Sequence, residues 1–323
     1  MGGNDKLTDR KVELVIPRED SGKKLHRYLR QALPGMPLSG IYKMIRVGRV
    51  KVNGKKGKMD SPLNAGDQLL IFMSSDDYQE LKKEQPKYSG ISTSIDIIFE
   101  DKSILVVNKP AGLLTHPDAK EQKDTLVNRV LAYLYQNGEI SETRAFLPAP
   151  VNRLDRNTSG IVLFGKDQTA LRSLTAAVRD RNVKKTYLGI VWGGWEGEGD
   201  IKAHLVKENK PSGTVHMKVN KADEGVSAHT RYQVLGSTPI YALVRLDLIS
   251  GRTHQLRAHL ESVGHPLVGD IKYGGKAGLG ANYQLLHAYS LALPSGEKWM
   301  AAPPLPFMNA LKQANLIRYL PKD

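Results

Sequence analysis

Arg153-Leu154-Asp155-Arg156-Asn157-Thr158-Ser159-Gly160-Ile161-Val162-Leu163-Phe164 changes character partway along. A segment crowded with cations, hydroxyls and an amide runs through glycine into a purely apolar tetrad. A short apolar run bounded by turn-forming residues reads as a buried strand, so Asp155 sits in a loop that feeds a core strand. A carboxylate set among such donors is oriented as a nucleophile or base requires, and an ordinary salt-bridged loop has the same composition. The choice between these readings depends on the rest of the chain.

On either side, strands and helices follow one another without a regular βαβ rhythm. Residues 96–99 and 104–107 read as strands flanking a turn at 100–103, and 125–134 and 167–179 as helices, the latter with an acidic start. Residues 187–192 and 241–249 are further strands. This pattern predicts an α+β body over 95–323, built on a mixed, mostly antiparallel sheet. Residues 12–73 read as a smaller α/β domain in the order strand, helix, helix, strand, hairpin, strand. Leu25, Tyr28, Leu29 and Leu33 recur at helical spacing behind a capping region at Asp20-Ser21. Ile41, Met44 and Ile45 mark a second helix, and Asn53-Gly54 marks a tight hairpin. The polar stretch 74–94, with Pro86 and Gly90 and little periodicity, reads as an exposed linker.

The 323 residues, 40% hydrophobic, suffice for a large core and a satellite domain. No apolar run approaches the roughly 18 residues of a membrane span, and Met1 to Lys6 lacks the apolar core of a leader. The expectation is a soluble, cytoplasmic protein without membrane contact. The absence of cysteine excludes disulfides, thiolate nucleophiles and cysteine-based zinc sites. Lysine and arginine total 47 against 33 acidic residues, a net charge of +14, which points to a polyanionic partner, nucleic acid first. The excess is locally dense. Lys43, Arg46, Arg49, Lys51, Lys55, Lys56 and Lys58 follow one another with no acidic residue between them, which reads as a binding face.

The Arg153 to Gly160 run resembles the catalytic signature of the RluA-type RNA pseudouridine synthases: His-Arg-Leu-Asp, two variable residues, then Thr-Ser-Gly. Further segments match in the same order. Asn108-Lys109-Pro110-Ala111-Gly112 with His116-Pro117 resembles the family's Lys-Pro-Ala-Gly segment, and Lys185-Thr186-Tyr187 its Lys-x-Tyr strand. Gly251 to His259 with Gly264 to Asp270 resembles the long downstream signature, and Leu285-Leu286-His287-Ala288 the last one. The resemblance spans about residues 96 to 310. Residues 12–73 resemble, more loosely, the αL RNA-binding module that often precedes this catalytic domain, with Lys43, Arg46 and Arg49 on its basic second helix and just beyond.

The resemblance implies isomerisation of uridine to pseudouridine in structured RNA, chiefly large-subunit ribosomal RNA with transfer RNA as an alternative, by a monomer that needs no cofactor or metal. It makes Asp155 the essential aspartate, Tyr187 the active-site tyrosine, Arg257 the arginine paired with the aspartate, and Leu286 an apolar wall of the uridine pocket. Arg153, Asn152, Thr158 and Arg252 are expected to contact substrate. Asp155 could attack ribose C1′, attack C6 of the base, or remove a ribose proton to form a glycal. Tyr187 could stack on the extruded base and assist loss of the C5 proton.

Helical spacing bears on the choice of arginine. Leu256, Leu260 and Val263 form a stripe facing the core, with Arg257 at its border and able to reach a pocket; Arg252, earlier in the segment, is placed to meet a phosphate. His254 and His259, five residues apart, do not share a helical face as zinc ligands would. His265 and His287 read as pocket-shaping or backbone-bonded, and Gly274 to Gly278 as a mobile loop. One position departs from the family pattern. Asn152 stands where His is usual, which removes any role needing a titrating imidazole and keeps hydrogen bonding. The competing readings are a non-catalytic RNA-binding or ribosome-assembly factor, disfavoured by the intact Asp155, Tyr187 and Arg257, and a glycosidase, which lacks a second acid near Asp155.

Overall fold

A computed structural model of the chain describes residues 6–8, 11–82, 88, 90–141, 146–209, 215–220 and 224–321. The chain divides into two compact units, Met1–Ser89 and Gly90–Asp323. Among the described residues, no helix is long and apolar enough to cross a membrane.

In the first unit, β1 (Lys6–Thr8), β2 (Lys11–Val15), β3 (Val50–Val52), β4 (Lys55–Lys56) and β5 (Gln68–Ile71) form a sheet in the order β1-β2-β5-β3-β4. Helices α1 (Leu25–Ala32) and α2 (Leu38–Arg46) pack on it, burying Leu25, Leu29, Ile41 and Ile45 against Val12, Val50, Leu69 and Ile71. Asn53 and Gly54 both have positive φ, at 48° and 76°, and close the two-residue β3–β4 hairpin whose twist demands that conformation. The Asp20-Ser21 capping expected for α1 is absent. Lys24 is the N-cap and makes no side-chain cap bond, while Asp20 ends a short 3-10 turn and pairs with Lys23.

The expected linker 74–94 is also corrected. Ser75–Lys82 is a helix, α3, whose Tyr78 is buried in the core of this unit, and the Leu81 carbonyl accepts a hydrogen bond from Gly35 N at 2.9 Å. With just two large apolar residues in eight, α3 lacks a readable stripe; a single buried aromatic ring anchors it. Residues 83–87 and 89 of that stretch, and Met1 to Asp5, lie outside the described residues.

The second unit contains β6 (Asp96–Glu100), β7 (Ile104–Lys109), α4 (Leu126–Gln136), β8 (Ala149–Pro150), β9 (Ser159–Gly165), α5 (Gln168–Arg179), β10 (Lys184–Trp192), β11 (Glu198–Asn209), β12 (Val215–Asn220), β13 (Val226–Ser237), β14 (Tyr241–Leu248), α6 (Gln255–Ser262), β15 (Leu286–Ala292), β16 (Lys298–Met300) and α7 (Leu305–Gln313). Thr125 and Asp167 cap α4 and α5 by accepting from Asn128 N and Ala170 N. The sheet runs β12-β11-β13-β14-β10-β15-β9-β7-β6, with β16 beside β15 and β8 beside β9. Its β9–β15 pairing is parallel and the other named pairings of this sheet are antiparallel, so the fold is α+β with a mixed, mostly antiparallel sheet.

Every residue of β9 is buried, which accounts for its unbroken apolar run; each of Ile161, Leu163 and Phe164 contributes roughly 1.5–3 kcal/mol by leaving water. The parallel contact matches Ser159 with His287 and Gly160 with Ala288, and Ala288 in turn is opposite Tyr187 on β10. Gly160 has φ +112°, and a Cβ there would run into the backbone amide and carbonyl of Ala288. This close approach couples the Asp155 loop to the middle of the sheet. Gly160→Ala is therefore expected to destabilise the unit by about 3 kcal/mol, lowering Tm by roughly 6–12 °C. Thermal unfolding checks this; an unchanged Tm would contradict the close packing.

Candidate active site

Three adjacent strands bring distant residues to one place. The loop entering β9 presents Asp155, β15 begins with Leu286, and β10 carries Tyr187 between β14 and β15. Together with Asn152, Arg153, Thr158, Arg252 and Arg257 they line a cavity of about 490 Å3, within the size range of small-ligand sites. Every residue of the second unit expected to be catalytic or to contact substrate thus lines one space. Lys43, Arg46 and Arg49 belong to the first unit, where all three are exposed.

The centre of the cavity is a chain of charges. Arg257 Nη1 donates to Asp155 Oδ2 at 3.1 Å, while its Nε and Nη2 form a fork on Asp270, both at 2.7 Å. The guanidinium also lies over the Tyr273 ring, 4.6 Å from its centroid. Burial opposes the charge on Arg257, but the hydrogen bonds and charges of Asp270 and Asp155 outweigh it and raise its pKa. Asp270 is fully enclosed, whereas the Asp155 side chain keeps 29% of its surface exposed. One carboxylate therefore anchors the arginine and the other is held towards the open space. Arg252, the alternative partner, donates through Nε to the Ser227 carbonyl at 3.2 Å.

His254 stands at the N-cap of α6 with φ +52°, a left-handed conformation uncommon outside glycine and a known form of strain at functional sites. Its Nδ1 is 2.8 Å from the Tyr273 hydroxyl, and its Nε2 is 3.8 Å from Asp155 Oδ2. Burial pushes this imidazole down to about 4 against the pull of Asp155, with Arg257 adding to the depression, so it is neutral at pH 7. Tyr187 is buried, which together with the charge of Asp155 raises its pKa; the phenol stays protonated, which suits a stacking surface or hydrogen-bond donor better than a base.

The backbone of the Asp155 loop is clamped from below. Thr115 Oγ1 donates to the Leu154 carbonyl and accepts from its amide. The Arg156 carbonyl accepts from Gly112 N and from the ammonium of Lys109, which also donates to the carbonyls of Pro110 and Leu113. Desolvation pulls that lysine down to about 7, opposed by Asp155. Asn152 donates to the Ile161 carbonyl and accepts from Leu163 N, so its amide ties the loop to β9. Thr158 accepts from Gln284 Nε2, and its own amide bonds the Asp155 carbonyl to close the turn.

Three expectations need correction. Val263 does not continue an apolar stripe, because α6 ends at Ser262 and Val263 is exposed; Arg257 lies not at a border but inside a helix buried from Gln255 to Leu260. Gly274 to Gly278 is not a loose loop. Lys276 O accepts from Gly269 N, Gly275 N donates to Asp270 O, and Gly275 packs against the backbone of Leu267. Asp270, Tyr273 and His254 also belong to the site, and the signal for them in the sequence is their position within or beside the long downstream motif. His265 and His287 bond backbone carbonyls, of Trp192 and Ala301. His254 and His259 point to different partners, Tyr273 and Thr230, and among the described residues no group of three His, Asp or Glu could hold a metal.

A family model described as RNA pseudouridylate synthase matches residues 103–262. The chain is 34% identical over 293 residues to the ribosomal large subunit pseudouridine synthase C of Escherichia coli (strain K12), covering 86% of this chain and 87% of that protein. It is 32% identical over 304 residues to the protein of the same name from Pasteurella multocida (strain Pm70), covering 89% and 88%. Among solved structures it is similar to human RNA pseudouridylate synthase domain containing 4, with a TM-score of 0.57 and 25% identity over 68% of this chain and 93% of that one.

The unequal burial of the two carboxylates has a measurable consequence. Asp270→Asn breaks a buried, bidentate ion pair and should cost about 3 kcal/mol or more, whereas Asp155→Asn, at a partly exposed pair, should cost less than about 1 kcal/mol. Denaturant unfolding of the two variants checks the order; equal losses would contradict the anchoring role given to Asp270.

Proposed function

Because the chain belongs to the RNA pseudouridylate synthase family, we propose that it converts uridines of large-subunit ribosomal RNA to pseudouridine, with Asp155 as the catalytic residue. The reading is carried by one observation: a partly exposed carboxylate, aimed by a buried arginine, shares a cavity with Tyr187 and Leu286. The names of the two bacterial relatives support the ribosomal substrate over transfer RNA.

In the reaction the C1′–N1 bond breaks, the base turns, C1′ bonds to C5, the hydrogen leaves C5 and N1 gains a proton, so composition is unchanged. Asp155 attacks C1′, attacks C6 or removes a ribose proton, and each of these first steps draws on the same carboxylate held by Arg257. Leu286 and Tyr187 enclose the flipped base, with Tyr187 stacking as a neutral phenol. Flipping costs a few kcal/mol, which contacts to the RNA backbone offset. Arg153, Arg252 and Thr158 serve the nucleotide at the cavity, Asn152 positions the loop, and the exposed Lys43, Arg46 and Arg49 bind RNA from an αL-like first unit. We read the enzyme as a monomer, and a ribosomal substrate supports a cytoplasmic location.

Large-subunit ribosomal RNA transcribed with uridine tritiated at C5 should release tritium to water when incubated with the protein. Asp155→Asn should still bind that RNA but release tritium at least about 1000-fold more slowly. No release by the folded wild-type protein would overturn the substrate assignment; release by the variant at the wild-type rate would overturn the role of Asp155.

A further inference from the structure

Lys185 and Tyr187, two residues apart on β10, line the same cavity, while Thr186 between them donates to Asp247 Oδ1 at 2.7 Å. Their spacing along the strand is roughly 7 Å. Lys185 is half-buried, and among the described residues its ammonium has neither a carboxylate nor a hydrogen-bond partner. The nearest acid of the cavity lining, Asp155, is already engaged by Arg257. Asp247 is taken by Thr186 and Arg245.

A cation withdrawn from water without a partner is costly, and burial lowers the pKa of Lys185 accordingly. Such a group is stabilised when an anion completes it. Its surroundings place it towards the mouth of the cavity rather than the floor. A Cβ built on the exposed Gly251 would stand 3.8 Å from its Nζ, and the exposed Arg181 and Arg252 line the same rim, whereas the buried Tyr187 and Leu286 form the interior. An RNA strand that delivers a flipped base to Tyr187 must carry its phosphodiester across that rim.

We propose that Lys185 binds a backbone phosphate flanking the flipped nucleotide, with Arg181 beside it, and so positions the ribose over Asp155. This rests on reading the cavity as the uridine pocket. The unmet charge favours a phosphate over a carbonyl of the base, which would leave the ammonium without a counter-charge.

The test is the salt dependence of binding between the full-length protein and large-subunit ribosomal RNA transcribed in vitro, measured by filter retention across a potassium chloride series. Lys185→Gln should weaken binding about tenfold at low salt and make the slope of log K against log salt shallower by about 0.7 to 0.9, the loss of one phosphate contact. Lys185→Arg should restore both. Because the wild-type lysine has no partner among the described residues, Lys185→Gln should unfold at the same or a higher temperature than wild type. An unchanged slope, including one accompanied by slower tritium release, would overturn the proposal in favour of a contact to the base. A lower Tm with no rescue by arginine would overturn it in favour of a packing role. If the wild-type protein bound this RNA without releasing tritium, the uridine-isomerase reading would fail while the salt slopes still reported on Lys185.

Discussion

The site depends on a buried arginine that two carboxylates share unequally. Asp270, enclosed and bonded through both oxygens, fixes the plane of the Arg257 guanidinium; the remaining nitrogen then fixes Asp155. A fork of two parallel bonds admits one orientation where a single ammonium contact would admit many. Tyr273 closes the arrangement, lying under the guanidinium and bonding His254 and the Met217 amide through its hydroxyl. The carboxylate that faces the cavity is thereby positioned, through Arg257, by Asp270 and Tyr273, which lie outside the cavity lining.

The sheet determines where that chain of charges meets the apolar wall. The β9–β15 contact is possible because Gly160 has no side chain, and it sets the Asp155 loop one strand from Leu286 and two strands from Tyr187. Beneath the loop, Lys109, Gly112 and Thr115 occupy the backbone groups on either side of Asp155, leaving its side chain free to be aimed by α6. Rigid elements thus supply the positioning, as an enzyme of this family requires, since its chemistry uses a single carboxylate and a rotating base.

Much of this was legible in the chain. The apolar tetrad Ile161 to Phe164 announced a buried strand because burial on both faces removes any polar alternation, and Asn53-Gly54 announced its hairpin because few other pairs tolerate positive φ twice. Asp155, Arg257, Tyr187 and Leu286 stood in motifs whose order alone suggested a common site. Asp270 and Tyr273 did not stand out. Their roles exist only once the 3-10 turn Ile271–Tyr273 packs against α6, and no local spacing encodes that return. The burial of Arg257 is hidden from helical spacing for the same reason: a helix packed on several strands loses its border, whatever its periodicity. Lys185 reads in the sequence as part of a motif, and its lack of a partner among the described residues emerges only when its neighbours in space are known.

In this arrangement Arg257 orients Asp155 rather than gripping the RNA. Arg257→Lys keeps the charge but gives up the fork that spans both carboxylates. Single-turnover tritium release, measured alongside RNA affinity, separates the two roles. The expected result is a chemical step slowed about 100-fold or more with affinity unchanged. Weaker RNA binding with an intact chemical step would show instead that Arg257 grips the RNA.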